Sequence, residues 1–277
     1  SRMPRQRPSW WRKPIDYVLS TSFDVLWHRH PVGSSPVDII FIRHAESTNN
    51  KTWAENRDES LRVPDPGLTE LGRSQADALA GWFPGFAAHP THLFVSPFIR
   101  TLETAAPLAN TLDMDIVVKP DLMERGGPFT GPIMDQQHHP GSPRAELQRI
   151  SPRLRLPDEA TEDGWWSGPF ETLEMAIERA RKLADWVRSD FEPEDCIVLV
   201  SHGAIGSLFA TALFCPAELG RRSGQIMGET SSWFALDNTS VSWFRLFPGN
   251  DTELRCFNRI DHLILAGVSS ATMRQSS

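Results

Sequence analysis

Short apolar runs recur along the chain and predict buried strands. Four of them stand out: Val37–Ile42, Leu93–Val95, Ile116–Val118 and Cys196–Val200. Runs of this length without polar alternation are typical of strands that are covered on both faces. We therefore expect these four strands to form the centre of a largely parallel sheet.

Helical periodicity lies between the strands. Apolar side chains recur at spacings of three and four from Phe170 to Val187, which predicts an amphipathic helix over that range. The chain after Cys196–Val200 predicts a turn and a helix that ends near Phe214. Ser96-Pro97 has the residue types of a helix N-cap and first turn, so we expect a helix directly after the second strand. Strands that alternate with helices predict the α/β class, as a three-layer α/β/α sandwich with a mostly parallel sheet.

Near the carboxyl end the pattern changes to two neighbouring apolar stretches. Trp233–Leu236 and Val241–Leu246 flank Asp237-Asn238. We expect these two stretches to form a hairpin-like pair of strands.

The sequence divides into an arm, a core and a tail. Residues 1–36 are rich in Arg, Pro, Trp and Ser without a sustained period, which predicts an N-terminal arm. Residues 37–265 are predicted to form one domain, and 266–277 a C-terminal tail. Within the domain, 126–170 is dense in Gly, Pro, His and Trp, and we expect an insertion over the sheet edge that shapes a pocket. We expect Trp165-Trp166 to anchor it on the core rather than to stack on a substrate.

Composition narrows the function classes. The 277 residues are 40% hydrophobic and 23% charged, as in soluble globular proteins, and the net charge of -7 argues against nucleic acid or an anionic membrane as a partner. The three cysteines are far apart and give no disulfide or metal spacing, and the adjacent His138-His139 pair has no partner at ligand spacing. We expect a cytoplasmic protein without a metal or other cofactor.

Chemistry-bearing residues follow the predicted strands where each one ends. Arg43-His44 follows the first, Arg100 comes four residues after Ser96, Glu124 follows the third, and His202-Gly203 follows the fourth. Ligands of open α/β sheets bind beyond the carboxyl ends of the strands, so we expect these side chains to share one site. Arginine binds phosphate with paired donors, and a histidine among arginines tends to stay neutral and nucleophilic.

Five motifs in order carry a family resemblance. Arg43-His44-Ala45-Glu46-Ser47 with Asn50 resembles the R-H-G-E-x-x-x-N signature of the histidine phosphatase superfamily, with its phosphoglycerate mutase-like fold. The other four resemble that family's later motifs: Leu68-Thr69 with Gly72 and Gln75-Ala76, Ser96-Pro97 with Arg100 and Thr104-Ala105, Ser201-His202-Gly203, and Asn238-Thr239-Ser240-Val241. The resemblance covers about 37–125 and 171–265 and points to the phosphatase branch.

The resemblance implies a role for each site residue. His44 would be the nucleophile that forms a phosphohistidine, and Glu124 would be the general acid and then the general base. Arg43, Arg100 and His202 would bind the phosphoryl oxygens and stabilise the transition state, Asn50 would hold the phosphate loop, and Gly203 would add to the binding site. The implied reaction is metal-independent hydrolysis of a phosphomonoester, because arginine and histidine supply the charge neutralisation.

Departures from the family pattern bear on the activity. Ala45 stands where the family usually has glycine, which is tolerable if its φ is negative. After Glu124 the chain runs Arg125-Gly126-Gly127, without the tyrosine typical of mutases, which favours hydrolysis. A mutase-type isomerase and an inactive family member that acts as a binding protein stay as alternatives. The expected partner is a phosphorylated small molecule, with a protein substrate still open, and the sequence leaves the oligomeric state open.

Overall fold

The structure is a computed structural model that describes residues 35–86, 89–132, 134–222 and 233–269. The predicted arm therefore lies almost wholly outside the described residues, and so does the tail beyond 269. Nine strands are described: β1 Val37–Arg43, β2 His92–Val95, β3 Ile116–Val118, β4 Phe129–Thr130, β5 Gln137–His138, β6 Leu154–Arg155, β7 Cys196–Ser201, β8 Val241–Leu246 and β9 Thr252–Arg259. Eight α-helices are described: α1 Thr48–Asn56, α2 Glu70–Trp82, α3 Ile99–Leu112, α4 Arg144–Gln148, α5 Leu173–Ser189, α6 Gly203–Phe214, α7 Pro216–Arg222 and α8 Asp261–Ala266.

The main sheet has seven strands in the order β6-β3-β2-β7-β1-β8-β9. The first five run parallel, and β8 and β9 are antiparallel to their neighbours. The four predicted central strands occupy consecutive places in this order. The prediction of a mostly parallel α/β sheet is confirmed.

The pleat of β1 shows how the three layers form. Ile40 and Ile42 point into an apolar cluster with α2 and α3, whereas Ile39 and Phe41 point into a second cluster with α5 and α6. All four side chains are buried, because a strand with helices on both faces has no solvated side. The sheet is therefore the middle layer of an α/β/α sandwich.

Two helices begin later than the sequence predicts. The helix predicted to start at Phe170 begins at Leu173, because Thr172 is its N-cap and accepts the backbone N–H of Met175. Ser96 is not the N-cap of α3, which begins at Ile99. The N–H of Ile99 donates instead to the Asp65 carboxylate at 2.9 Å, and Ser96 takes a different role that is described below.

The predicted hairpin of Trp233–Leu236 with Val241–Leu246 is wrong. The second stretch is β8, which pairs with β1 and β9, whereas the first stretch forms no strand. The N–H of Phe234 donates to Ser207 of α6 at 3.0 Å, and Leu236 is buried in the α5–α6 cluster. Packing on a helix thus replaces strand pairing for this apolar segment.

The predicted insertion 126–170 contributes to the core. It holds the small β4–β5 sheet and α4, and it adds β6 to the edge of the main sheet. Trp165 is buried and its ring packs edge-on against Phe98 at 4.9 Å, which matches the expected anchor. Among the described residues, none of the helices combines the length and apolar character needed to cross a bilayer.

Candidate active site

The parallel pairing of β1 with β7 brings two histidines together. The pairing aligns Arg43 with Ser201, so His44 and His202 leave the sheet at the same level. The His44 N–H donates to the Ser201 carbonyl at 2.9 Å, and the two imidazole rings lie 5.1 Å apart. Both histidines are buried, as expected of residues at the carboxyl edge of a covered sheet.

The tautomer of His44 follows from its hydrogen bonds. Its Nδ1 lies 2.7 Å from the Ala45 carbonyl oxygen, which can only accept, so Nδ1 carries the proton. Its Nε2 accepts from Nε of Arg100 at 3.2 Å and therefore carries a lone pair. A neutral imidazole with a lone pair on Nε2 is the form that can attack phosphorus once Arg100 releases that nitrogen.

Arg100 lies between the two histidines. Its Nη2 donates to Nδ1 of His202 at 3.1 Å, and its guanidinium stacks over the Phe98 ring at 4.1 Å. Burial lowers the pKa of Arg100 to about 10, and Asp65 and Glu124 oppose that shift. The guanidinium thus stays charged at neutral pH.

The electrostatic field keeps both imidazoles neutral. Burial lowers the pKa of His44 well below its usual value, and the charges of Arg100 and Arg43 lower it further. Burial and Arg100 do the same to the pKa of His202. The positive charge of the site therefore resides on the arginines, and His44 keeps its lone pair.

Arg43 offers unused donors. Its Nη1 donates to the Leu236 carbonyl at 2.5 Å, which fixes the side chain, while its buried Nε has no partner among the described residues. Burial lowers the pKa of Arg43, and Glu124 and Asp237 oppose the shift. A buried, unpaired guanidinium donor is costly, and a phosphoryl oxygen would satisfy it.

His202 lies behind the cavity rather than in its wall. Its ring is fully buried and lies 5.0 Å from the Phe98 ring. Because Nδ1 accepts from Arg100, a neutral His202 carries its proton on Nε2 and donates to Ser96 Oγ at 2.7 Å. Ser96 therefore orients a histidine, a role that the sequence analysis missed.

Glu124 lies at the amino end of α6. Its Oε1 accepts the N–H groups of Arg125 at 2.9 Å and Ile205 at 3.0 Å, whereas Oε2 accepts only from Ala204 at 3.2 Å. The carboxyl group is thereby held beside Arg43 and Arg100, which both feel its charge. Oε2 keeps the greater free capacity for a proton.

The helix α2 holds the loop that follows His44. Thr69 caps this helix, and its own N–H donates to the Glu46 carbonyl at 3.0 Å. Gln75 Oε1 accepts the Glu46 N–H at 2.8 Å. A Cβ on Gly72 would lie 2.1 Å from the Glu46 carbonyl oxygen, so only glycine permits this approach. Three residues of one sequence motif thus fix the backbone of Glu46 on both sides.

The peptide next to His44 depends on Thr104. The Ala45 N–H donates to Thr104 Oγ1 at 2.9 Å, and the same hydroxyl donates to the Arg100 carbonyl at 2.7 Å. Thr104 therefore connects the loop that follows His44 to the helix that carries Arg100. Ala45 does not have a positive φ, so its methyl group meets the condition set by the sequence.

Asn50 and Asn238 support His44 from the other side. Asn238 Nδ2 donates to the His44 carbonyl at 2.9 Å and to Asn50 Oδ1 at 3.3 Å. Asn50 also accepts the Ser47 N–H at 3.1 Å, as part of a capping box at the start of α1. The sequence indicates Asn238 only as part of a motif, and its contact with His44 could not be inferred from spacing.

A cavity of about 250 Å³ opens beside His44. Its wall includes five predicted site residues: Arg43, His44, Asn50, Arg100 and Glu124. His202 and Gly203 do not line it, although a Cβ on Gly203 would touch Arg43 Nε at 3.5 Å, an ordinary contact. Among the remaining lining residues, Ser47 belongs to the first motif but was given no role in the site. The others are not motif residues: Asn49, Trp53, Glu59, Arg62, Arg125, Phe129, Phe170 and Ala204.

Asp65 ties the 126–170 segment to this site. Its carboxylate accepts the N–H groups of Ile99 at 2.9 Å and Ser142 at 3.3 Å, and the indole N–H of Trp165 at 3.4 Å. Burial raises the pKa of Asp65, and these donors and Arg100 oppose the shift. The described residues contain no cluster of three His, Cys, Asp or Glu side chains placed to hold a metal ion.

Comparison with protein families identifies the histidine phosphatase superfamily (branch 1), which matches residues 39–259. A curated relative, the PE-PGRS family protein PE_PGRS11 of Mycobacterium tuberculosis, is 42% identical over 88 residues. That match covers 31% of this chain but only 14% of the relative.

Solved structures share the fold at low sequence identity. A mycobacterial glucosyl-3-phosphoglycerate phosphatase has 18% identity and a TM-score of 0.50, with 80% of this chain and 99% of that chain covered. A phosphoserine phosphatase of Entamoeba histolytica, in complex with phosphoserine, has 21% identity and a TM-score of 0.51, with 82% and 99% covered.

Proposed function

Since the chain belongs to the histidine phosphatase superfamily (branch 1), we propose that it hydrolyses phosphomonoesters through a phosphohistidine on His44. The membership supports the predicted enzyme class, a histidine phosphatase. One observation carries the proposal of mechanism: the Nδ1–H of His44 is fixed on Ala45, so the lone pair of Nε2 lies beside two arginines in an open cavity.

The first step transfers the phosphoryl group to His44. The phosphoryl oxygens accept hydrogen bonds from Arg43 and Arg100. Arg100 then no longer donates to Nε2 of His44, and the lone pair of that nitrogen becomes available. Nε2 then forms a bond to phosphorus while the ester P–O bond breaks. The leaving oxygen takes a proton from Oε2 of protonated Glu124.

The second step returns the enzyme to its starting state. The Glu124 carboxylate accepts a proton from a water molecule as that water attacks phosphorus, and the P–N bond to His44 breaks. His202 supports both steps through Arg100, since it contacts that guanidinium and lies behind the cavity. No metal is required in this scheme, because preorganised guanidinium donors stabilise the charge that develops on the phosphoryl oxygens.

The proposed setting is a cytoplasmic enzyme that acts on a phosphorylated small molecule. The thiols of Cys196, Cys215 and Cys256 are all free, which suits a reducing compartment. The net charge of -7 makes nucleic acid and anionic membranes poor partners.

The test is phosphate release from a panel of phosphomonoesters with EDTA present. Wild-type protein should release phosphate, and His44→Ala should lose at least about 10³-fold in kcat, because the covalent route is removed. His138→Ala serves as the matched control, since His138 is exposed and lies outside the cavity. Turnover that persists in His44→Ala would disprove the proposal, and release that needs a bisphosphorylated primer would indicate the mutase.

Glu124 is tested by its dependence on the leaving group. Glu124→Gln should slow esters of alkyl alcohols far more than p-nitrophenyl phosphate, because nitrophenolate leaves without a proton. Equal slowing of both substrate types would show that Glu124 is not the acid.

A further inference from the structure

Arg62 is a cavity residue that the proposed reaction does not use. It lines the same cavity as His44, and its guanidinium stacks over the ring of Phe129 at 4.5 Å. Its Nε is buried without a hydrogen-bond partner among the described residues, and the charges of Glu59 and Glu124 act on its guanidinium. A buried guanidinium donor without a partner is costly, and an oxygen of an anionic ligand would satisfy it.

Stacking prepares this guanidinium for a planar anion. Phe129 covers one face of the Arg62 guanidinium, which leaves the donors in its plane free at the edge. A carboxylate matches two such donors side by side. Phe129 comes from the 126–170 segment, so this segment holds the arginine in place.

The charges around the cavity favour an anionic substrate. The cavity is lined by four guanidinium groups and two carboxylates: Arg43, Arg62, Arg100, Arg125, Glu59 and Glu124. The excess of guanidinium groups in the wall attracts negative charge. Arg43 and Arg100 lie beside His44, which leaves Arg62 for a second anionic group of the substrate.

We propose that Arg62 is a specificity-determining residue that binds a carboxylate of the substrate while Arg43 and Arg100 bind its phosphoryl group. This inference rests on the proposed function, which assigns the phosphoryl position. The substrate class is thus a phosphomonoester with a carboxylate within a few bonds of the ester oxygen.

The test compares two ligands that differ at one group. 3-Phosphoglycerate has a carboxylate where glycerol 3-phosphate has a hydroxymethyl group. Their Kd values are measured by titration calorimetry on the full chain with His44→Ala, so that binding is read without turnover. We expect 3-phosphoglycerate to bind about tenfold more tightly, as a charge-assisted bidentate contact would give.

Variants at Arg62 assign the preference to one side chain. Arg62→Met keeps the apolar stem over Phe129 and should reduce the preference to less than about threefold, and Arg62→Lys should leave an intermediate value because it lacks the planar fork. Arg57→Met is the matched control, since Arg57 is exposed at the end of α1 and lies outside the cavity. Thermal melts of each variant establish that it is folded.

The outcomes separate this inference from the proposed function. Equal affinity for both ligands, binding of neither at millimolar concentration, or a preference unchanged in Arg62→Met would each overturn the role of Arg62. Failure of the wild-type chain to hydrolyse p-nitrophenyl phosphate would instead overturn the proposed function, and the ratio of the two Kd values would still report on Arg62.

Discussion

Replacing Thr104 by valine would leave the backbone N–H of Ala45 without a hydrogen-bond partner in the core. Valine has nearly the shape of threonine, so the packing around position 104 is kept and the hydroxyl alone is lost. The Arg100 carbonyl loses one donor but keeps its bond within α3. The change therefore isolates one buried donor without a partner, next to His44.

The magnitude follows from that single group. An unsatisfied buried N–H costs about 1–3 kcal/mol, so the free energy of unfolding of Thr104→Val should fall by about 2 kcal/mol. For a chain of this size that corresponds to a decrease in Tm of about 4–8 °C. Since a shift of His44 by about 1 Å can cost about 10²-fold, kcat should also fall by at least about tenfold.

The assay combines denaturant unfolding with turnover of p-nitrophenyl phosphate. Thr104→Ser keeps the hydroxyl and should restore most of both quantities. Thr211→Val is the matched control, because the Thr211 hydroxyl only donates to the Ser207 carbonyl within α6 and no buried donor is orphaned. If Thr104→Val unfolds and turns over like the wild type, the hydrogen bond from Ala45 to Thr104 has no energetic role.

Three further predictions follow from other contacts. Gly72→Ala should lower the free energy of unfolding by about 1–3 kcal/mol, because the added Cβ clashes with the Glu46 carbonyl. Gly81→Ala in the same helix should be neutral or slightly stabilising, because a Cβ there has no neighbour within 4 Å; denaturant unfolding compares the two variants. Arg179→Met should cost about 3–5 kcal/mol because it leaves Glu171 buried and unpaired, and adding Glu171→Gln should recover part of that loss in the same melts. Because the pKa of His44 is lowered well below 6.5, His44 should stay neutral and kcat/KM should not fall as the pH drops through 6.5. The free energy of unfolding should decrease over the same range, because histidine takes up a proton in the unfolded chain but not in the folded one. A decrease in kcat/KM near pH 6.5, after correction for substrate ionisation, would contradict this.

The sequence predicted the parts of the fold that depend on periodicity. The strand at Ile116–Val118 was predicted with its observed bounds, since a buried strand has an unbroken apolar run. The partner of Val241–Leu246 was predicted wrongly, because local alternation does not say which neighbour a strand takes. The start of α3 was also wrong, since the residue that caps it, Asp65, lies 34 residues earlier in the chain.

The candidate site was likewise predictable from the sequence only in part. Residues directly after strand ends, such as His44 and His202, could be inferred because the carboxyl ends of parallel strands lie at one edge of the sheet. The roles of Ser96 and Asn238 depend on contacts over long sequence separations, which no spacing encodes. Arg62 lies in a segment without a motif, and only its stacking on Phe129 and its place in the cavity single it out.

The long separations around His44 also bear on how the enzyme is made. His44 is synthesised early, but Asn238, which holds its carbonyl, follows 194 residues later. At about 5–20 residues per second, a ribosome needs about 10–40 s to reach that residue. The β1–β7 pairing likewise requires Ser201, so a nascent chain contains His44 long before the residues that position it have been synthesised. Phosphatase activity in a cell-free translation reaction should therefore appear only with chains that extend past Asn238. The onset of turnover would then report when folding is complete.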